Sequence, residues 1–281
     1  MAAYRQKKNR IPRILSVANQ KGGVGKTTTS VNLATALSAI GKKVLLVDLD
    51  AQGNASTGLG ISRASLRTST YDIIFDDASV EETVKKTRVP GLDVLPSSIH
   101  LSGAEIELVG ATRREYRLQE AFRTNDLDYD YIIIDCPPSL SLLTLNALVA
   151  SDSIVVPLQC EFYALEGLSH LVKTIERVQK TFNPRLDIHG VVLTMFDKRN
   201  NLSEMVAQDV RKYFGDTVYK TVIPRNVRLS EAPSYGLPAI VYDMKCTGAK
   251  AYINLAKEVI AREKKIIGND QEKNISSETA A

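Results

Sequence analysis

The sequence predicts an α/β fold, a doubly wound and mainly parallel sheet with helices on both faces, and three observations carry that prediction. Short apolar runs bounded by charge recur along the chain, as strands buried on both faces require. Helix-length periodic segments separate several of them, the alternation that builds β-α-β crossovers. The first run ends in a glycine-rich loop that opens a helix, and such folds bind ligands at the carboxyl ends of their strands.

In chain order, Ile14-Leu15-Ser16-Val17-Ala18 is the first strand, and Asn19 to Thr28 is the loop. Thr27 to Ile40 places Val31, Ala34, Leu37 and Ala39 among small polar residues, with Gly41 as a stop, and reads as a helix. Lys43 to Leu49 then contains Val44-Leu45-Leu46-Val47, a second buried strand that completes the unit. Further strands are predicted at Leu92–Leu95, Tyr131–Ile134, Ser153–Val156, Ile188–Thr194 and Thr217–Ile223. Helices are predicted at Ser102–Thr124, broken near Gly110, and at Leu140–Ala150, Leu165–Thr181, Ser203–Phe214 and Gly248–Lys265.

A chain of 281 residues that is 44% hydrophobic can bury a full core, and neither repeats nor a low-complexity linker divide it. One domain is therefore expected over residues 11–267. A flexible basic tail is expected at 1–10, and a disordered polar tail at 268–281. The formal charge of +4 is too small to establish a nucleic-acid partner, although an excess can be concentrated on one face. Cys136, Cys160 and Cys246 are widely spaced and indicate neither a disulfide framework nor a zinc site. The N-terminus lacks the apolar core of a signal peptide, and no run is long enough to span a bilayer, so a cytoplasmic protein without stable membrane association is expected.

The loop Asn19-Gln20-Lys21-Gly22-Gly23-Val24-Gly25-Lys26-Thr27-Thr28 carries the clearest chemistry. Glycines let backbone N–H groups converge on phosphate oxygens, and the following helix start adds positive potential. In that setting Lys26 is expected to reach the β- and γ-phosphates of a nucleotide and Thr27 to ligate Mg²⁺. A glycine-rich turn with exposed lysines is the alternative. The G-x-x-x-x-G-K-[ST] pattern itself fails, because Gln20 stands at its first glycine and a second lysine, Lys21, follows. Asp48 and Asp50 close the second strand, and alternation puts both carboxylates on one side, where a Mg²⁺-nucleotide site or a solvated strand end would accommodate them. Asp135 ends Tyr131-Ile132-Ile133-Ile134 ahead of Cys136-Pro137-Pro138-Ser139, and serves either as a Mg²⁺ carboxylate or as a turn cap. Cys136 reads as a small buried hydrophobe, and the scattered His100, His170 and His189 receive no role.

The form K-G-G-V-G-K-T resembles the deviant Walker A loop of the ParA/MinD/nitrogenase iron-protein class of P-loop NTPases. Three ordered motifs, K-G-G-V-G-K-T-T, V-D-L-D-A-Q-G-N-A and I-I-I-D-C-P-P-S-L, are similar to the ParA/Soj group of partitioning ATPases. Leu193 to Asp197 and Val222 to Pro233 extend the match. The resemblance implies a weak ATPase that dimerises around two nucleotides, with Lys21 crossing to the second subunit's nucleotide. It places the attacking water at Asp50, support of the Mg²⁺ shell at Asp48 and a Walker B role at Asp135. Ala51 stands where many relatives have proline. The nucleotide is implied to touch residues Lys21 through Thr28, namely Lys21, Gly22, Gly23, Val24, Gly25, Lys26, Thr27 and Thr28, with Met195, Pro224 and Asn226 near adenine. Non-specific double-stranded DNA is implied to meet Arg199 and Arg228, with Arg225 and Lys198 as weaker candidates, so the ATP form would be nucleoid-associated. A ParB-like centromere-binding protein would stimulate hydrolysis.

Other readings remain. A MinD-like membrane-cycling ATPase usually ends in a basic amphipathic helix; Glu258 to Ile267 is partly of that kind, but a polar tail follows it. An iron–sulfur carrier would need cysteine ligands that these cysteines do not supply persuasively. A non-enzymatic ATP-dependent DNA-binding scaffold would share the loop without turnover. An operator-binding helix-turn-helix is disfavoured by the short stretch ahead of the first strand.

Overall fold

The computed structural model describes residues 11–124 and 127–278, with side chains through Ile266. The basic segment 1–10, expected to be a flexible tail, lies outside the described residues, as do 125–126 and 279–281. The strands are β1 Arg13–Val17, β2 Val44–Asp48, β3 Lys85–Lys86, β4 Leu92–Leu95, β5 Tyr131–Asp135, β6 Ser153–Gln159, β7 Asp187–Phe196 and β8 Val218–Pro224. Among the described residues they form one eight-stranded sheet in the order β3-β4-β2-β5-β1-β6-β7-β8. All pairs are parallel except β3 with β4. Each strand expected from an apolar run is present. The short β3 was not expected, because two lysines on a sheet edge carry no periodicity.

From central β1 the chain winds outward to β2 and β4, returns to insert β5, and then builds β6, β7 and β8 on the opposite side. The reversal makes the carboxyl ends of β1, β5 and β2 a topological switch point. Alternation sorts the strand side chains: Val44, Leu46, Ile133 and Val155 pack in one core with Leu33 and Leu37 of helix α1, Lys26–Ala39. Leu45, Val47, Ile132, Ile134 and Val156 face the other core, under Leu143, Leu168, Leu171 and Val210. Helices therefore cover both faces, and the strands read as continuous apolar runs for that reason.

The helix expected at 102–124 is interrupted as Gly110 suggested: Leu101–Glu107 runs into a 3₁₀ turn, Leu108–Gly110, and helix resumes at Arg117–Thr124. The last helix starts at Thr247 and continues as helix to Glu278, through residues assigned from sequence to a polar tail; no proline interrupts it. A largely buried polar cluster ties it to the sheet. Arg13 Nε donates to Glu263 (3.0 Å), which also pairs with the buried His189 (2.9 Å). Arg262 lies 4.1 Å from the Tyr219 ring centroid and donates to the carbonyls of His189, Thr217 and Val218. These partners offset the cost of desolvating the charges.

Candidate functional site

Register assembles the site before any side chain is considered. Val17 of β1 stands beside Asp135 of β5, and Asp135 stands beside Asp48 of β2. The glycine loop leaving β1 and the two acids ending β5 and β2 thus share the carboxyl edge of three adjacent strands.

The loop is held both by its own side chains and by its neighbours. Asn19 Nδ2 donates to the Pro157 carbonyl (2.7 Å), and Asn19 Oδ1 accepts from the Lys21 N–H (3.0 Å). The carbonyl of buried Val24 accepts from Thr194 Oγ1 (2.8 Å), which fixes the loop to β7. Gly23 and Gly25 have φ of 75° and 87°, a region that a side chain would strain. A Cβ at Gly22 or Gly23 would meet nothing within 4 Å, so the space over the loop can admit an anion. Gly25 is also the N-cap of α1, whose first N–H groups open towards that space. Lys26 arches back across the loop, buried, and its Nζ donates to the Lys21 carbonyl (3.0 Å). Burial lowers the Lys26 pKa, while Asp135, Cys136 and Asp50 oppose the shift.

Asp135 and Asp48 are fully buried. Asp135 Oδ1 accepts from Ser30 Oγ (2.8 Å), whereas its buried Oδ2 has no hydrogen-bond partner among the described residues. Burial, followed by the Asp48 charge, pushes the Asp135 carboxyl up to about 8; the Ser30 and Thr27 hydroxyls pull the other way. Asp48 Oδ2 accepts from both the N–H (2.7 Å) and the hydroxyl (2.6 Å) of Ser56, yet burial still raises its pKa to about 6. A carboxylate oxygen that is buried without a donor, beside threonine and serine hydroxyls, suits a hard cation. Among the described residues no group of three or more His, Cys, Asp or Glu side chains is arranged to hold a metal ion. A Mg²⁺ ion there would therefore draw on a hydroxyl, water and phosphate oxygens as well, the way this ion is usually bound with a nucleotide.

Asp50 arrives differently from the sequence expectation. Because β2 ends at Asp48, strand alternation does not reach Asp50, which projects half-buried from the following turn. Its Oδ1 accepts from the Gln52 N–H (2.9 Å), and its charge still acts on Lys26, Asp48 and Asp135. Thr27 and Thr28 are half-buried on the first turn of α1. Lys21 is exposed and ion-paired with Glu161 of its own chain. Cys136 is buried, and burial raises its thiol pKa, in keeping with a hydrophobe.

Met195 lies against the loop: a Cβ on Gly25 would sit 3.7 Å from its Cε. Its φ of 49° is unusual for a side-chain-bearing residue and turns the chain at the end of β7. Pro224 ends β8 in register with Phe196. Asn226 caps the helix Val227–Glu231, accepting from the Arg228 N–H (2.9 Å) and donating to Thr247 (2.8 Å). The Arg225 N–H donates to the Phe196 carbonyl (3.1 Å), so the two groups of candidate DNA cations leave adjacent strand ends. Lys198 and Arg225 are exposed, but Arg199 grips Asp197 with two nitrogens (3.0 and 2.8 Å), which holds that carboxyl down to about 2. Arg228 pairs with Glu231 (2.7 Å) and Asp243 (3.6 Å). Sequence reading missed Ser30, Ser56, Asn19 and Thr194. Small polar residues within otherwise buried segments were the available signal.

A family model described as an AAA domain matches residues 12–188. The chromosome partitioning protein ParA of Caulobacter vibrioides is 60% identical over 255 residues, covering 90% of this chain and 95% of that protein. The sporulation initiation inhibitor protein Soj of Bacillus subtilis is 61% identical over 249 residues, covering 89% and 98%. Among solved structures, cobyrinic acid a,c-diamide synthase from Mycobacterium smegmatis with bound ATP analog and magnesium matches with a TM-score of 0.80. It is 38% identical and covers 90% of this chain and 96% of that one.

Proposed function

The chain belongs to the ParA/Soj family of chromosome-partitioning proteins, and from that premise we propose that it is a weak, Mg²⁺-dependent ATPase acting as a DNA-partitioning switch. In this reading two copies close around two ATP molecules and the dimer holds double-stranded DNA without base readout. A ParB-like partner then stimulates hydrolysis and releases it. The observation that carries the reading is the joining, at three neighbouring strand ends, of a phosphate-sized glycine loop to a buried aspartate with an unpartnered oxygen.

The residues divide the work. The N–H groups from Gly22 to Thr28 cradle the phosphates, and Lys26 exchanges the Lys21 carbonyl for β- and γ-phosphate oxygens. Thr27 and Asp135 would hold the metal, with Asp48, itself fixed by Ser56, behind them. The chemistry supplied by Mg²⁺ is charge neutralisation on the transferring phosphate. Asp50, at the mouth of the cluster, orients the attacking water, and Lys21 of the second copy stabilises charge on the γ-phosphate. Met195, Pro224 and Asn226 border the base. Arg199, Arg228, Arg225 and Lys198 give each copy too few cations for tight DNA binding, but pairing doubles the phosphate contacts and makes affinity depend on ATP.

Phosphate release, measured with and without DNA and a cognate partner, separates this function from an ATP-binding scaffold without turnover. Lys26→Ala should lose nucleotide binding and turnover together. Lys21→Ala should keep much of its ATP binding and lose dimerisation and hydrolysis. Normal ATP-dependent dimers and normal turnover in Lys21→Ala would remove the trans role.

A further inference from the structure

We propose that Arg63 is a positioning residue for hydrolysis: it clamps the turn that carries Asp50, by holding the Ala51 carbonyl and lying across Gly53. The proposal rests on the reading of Asp50 as the residue that orients water, and supplies what keeps that carboxylate in place. Because β2 stops at Asp48, no strand ladder fixes Asp50. The turn after it closes on itself: the Gly53 N–H donates to the Asp50 carbonyl (2.8 Å), and the Gln52 N–H to Asp50 Oδ1 (2.9 Å). The Asp50 carbonyl also accepts from the hydroxyl of buried Ser97. Past Gly53, the short helix Asn54–Gly58 returns Ser56 to Asp48. Between these anchors the Ala51 carbonyl accepts from Arg63 Nη1 (3.0 Å), which reaches back from the 3₁₀ turn Arg63–Ser65.

Two observations separate this contact from the chance approach of a surface arginine. A Cβ on Gly53 would lie 2.7 Å from Arg63 Cδ and 2.9 Å from Nη1, so the side chain lies on the turn's own backbone, in space that only a glycine leaves. Among the described residues, moreover, Arg63 pairs with no carboxylate. Arg199 and Arg228 are both held by acids, whereas Arg63 directs its rigid fork at a main-chain oxygen one residue past Asp50. A clamp there fixes the path of the backbone at Asp50 while the glycine loop that cradles the phosphates is held by other residues, Pro157 and Thr194. Losing it should therefore misplace the attacking water and leave nucleotide binding intact.

Arg63 is exposed, so Arg63→Ala should leave the fold unchanged. With Mg²⁺ and double-stranded DNA present, its kcat for ATP hydrolysis should fall about tenfold while KM stays within about twofold, the split expected of a group that serves the transition state. Arg63→Lys keeps a donor on a long stem and should recover at least about threefold of that loss. In single turnover, adding Arg63→Ala to Asp50→Ala should lower the residual rate no further. In the nucleotide-free protein, hydrogen exchange read by mass spectrometry should be at least about threefold faster over residues 51–54 in Arg63→Ala than in wild type. Wild-type kcat in Arg63→Ala overturns the proposal. An equal tenfold loss in the Asp50→Ala background overturns the route through Asp50, because Arg63 would then act on the phosphate itself. If Asp50→Ala hydrolyses ATP as fast as wild type, the reading of Asp50 fails instead, and the exchange rates still decide whether Arg63 holds the turn.

Discussion

Replacing Asp135 with asparagine removes one titrating group from the centre of the site while keeping its size and an oxygen that can accept from Ser30. In the folded chain this carboxyl is raised from 3.8 to about 8, first by burial and then by the Asp48 charge. Between those values the folded state keeps a proton that the unfolded state has lost. The contribution to stability is therefore fully present below pH 3.8 and is lost as pH rises through about 8. Each unit is worth about 1.4 kcal/mol, so the roughly four-unit window amounts to about 6 kcal/mol in the ligand-free protein. At about 2 °C per kcal/mol for a chain of this size, Asp135→Asn should melt near wild type at pH 4 and about 12 °C above it at pH 8 to 9. Differential scanning calorimetry of the nucleotide-free proteins across that range reads the difference directly. Mg²⁺ with ATP should reverse the order at high pH, since in the proposed site the carboxylate ligates the cation and the amide does so more weakly. A melting difference that is constant or shrinks with pH would refute the argument that burial and the Asp48 charge keep Asp135 a neutral acid.

Asp50 offers the complementary perturbation, because it lies outside the strand, in the turn after Asp48. Asp50→Ala should bind ATP and accumulate as a dimer on size-exclusion chromatography, with hydrolysis reduced by about two orders of magnitude or more; a variant that binds ATP and remains single would assign Asp50 another task. On the DNA side, Arg228→Ala and Arg199→Glu should weaken binding on all sequences alike while ATP-dependent dimerisation survives. Anisotropy across a salt series should show the slope falling by about one for each phosphate left without its arginine. Wild-type affinity that ignores the nucleotide, or unchanged binding by both variants at every salt concentration, would remove these arginines from the DNA surface.

The fold was legible because burial on both faces leaves a direct mark. Runs such as Val44-Leu45-Leu46-Val47 and Tyr131-Ile132-Ile133-Ile134 need no alternation, and each became a strand paired on both sides. Most of the catalytic candidates were legible for a related reason: they directly follow or end such runs, where topology gathers ligands. Asp50 shows the limit. Two-residue alternation assumes that the strand continues, and β2 stops at Asp48. Pairing between distant segments left no local mark either. Neither the Asn19 bond to Pro157 nor the Lys21 pair with Glu161 has any periodic or compositional signature. The arginines assigned to DNA were visible as charges, but their carboxylate partners Asp197, Glu231 and Asp243 became apparent only in three dimensions.

Those partners bear on how the switch is built. In a lone copy four of the candidate cations are occupied: Lys26 on a loop carbonyl, Lys21 on Glu161, Arg199 on Asp197 and Arg228 on Glu231. Each exposed pair is weak, and each exchanges one set of oxygens for another, so a polyanion need only offer more charge than a single carboxylate to take the cation. For the nucleotide, Lys26 changes partner within its own chain. For Lys21 the direction differs, since its pairing with Glu161 keeps the amine at the surface rather than across the loop. In the proposed dimer the glycine loop, Lys26, Thr27, Asp48, Asp50 and Asp135 make the phosphate site within one chain, and the second lysine on the γ-phosphate comes from the other copy. That proposal gives nucleotide binding and self-association to different lysines in one loop, which is why Lys26→Ala and Lys21→Ala should fail at different steps.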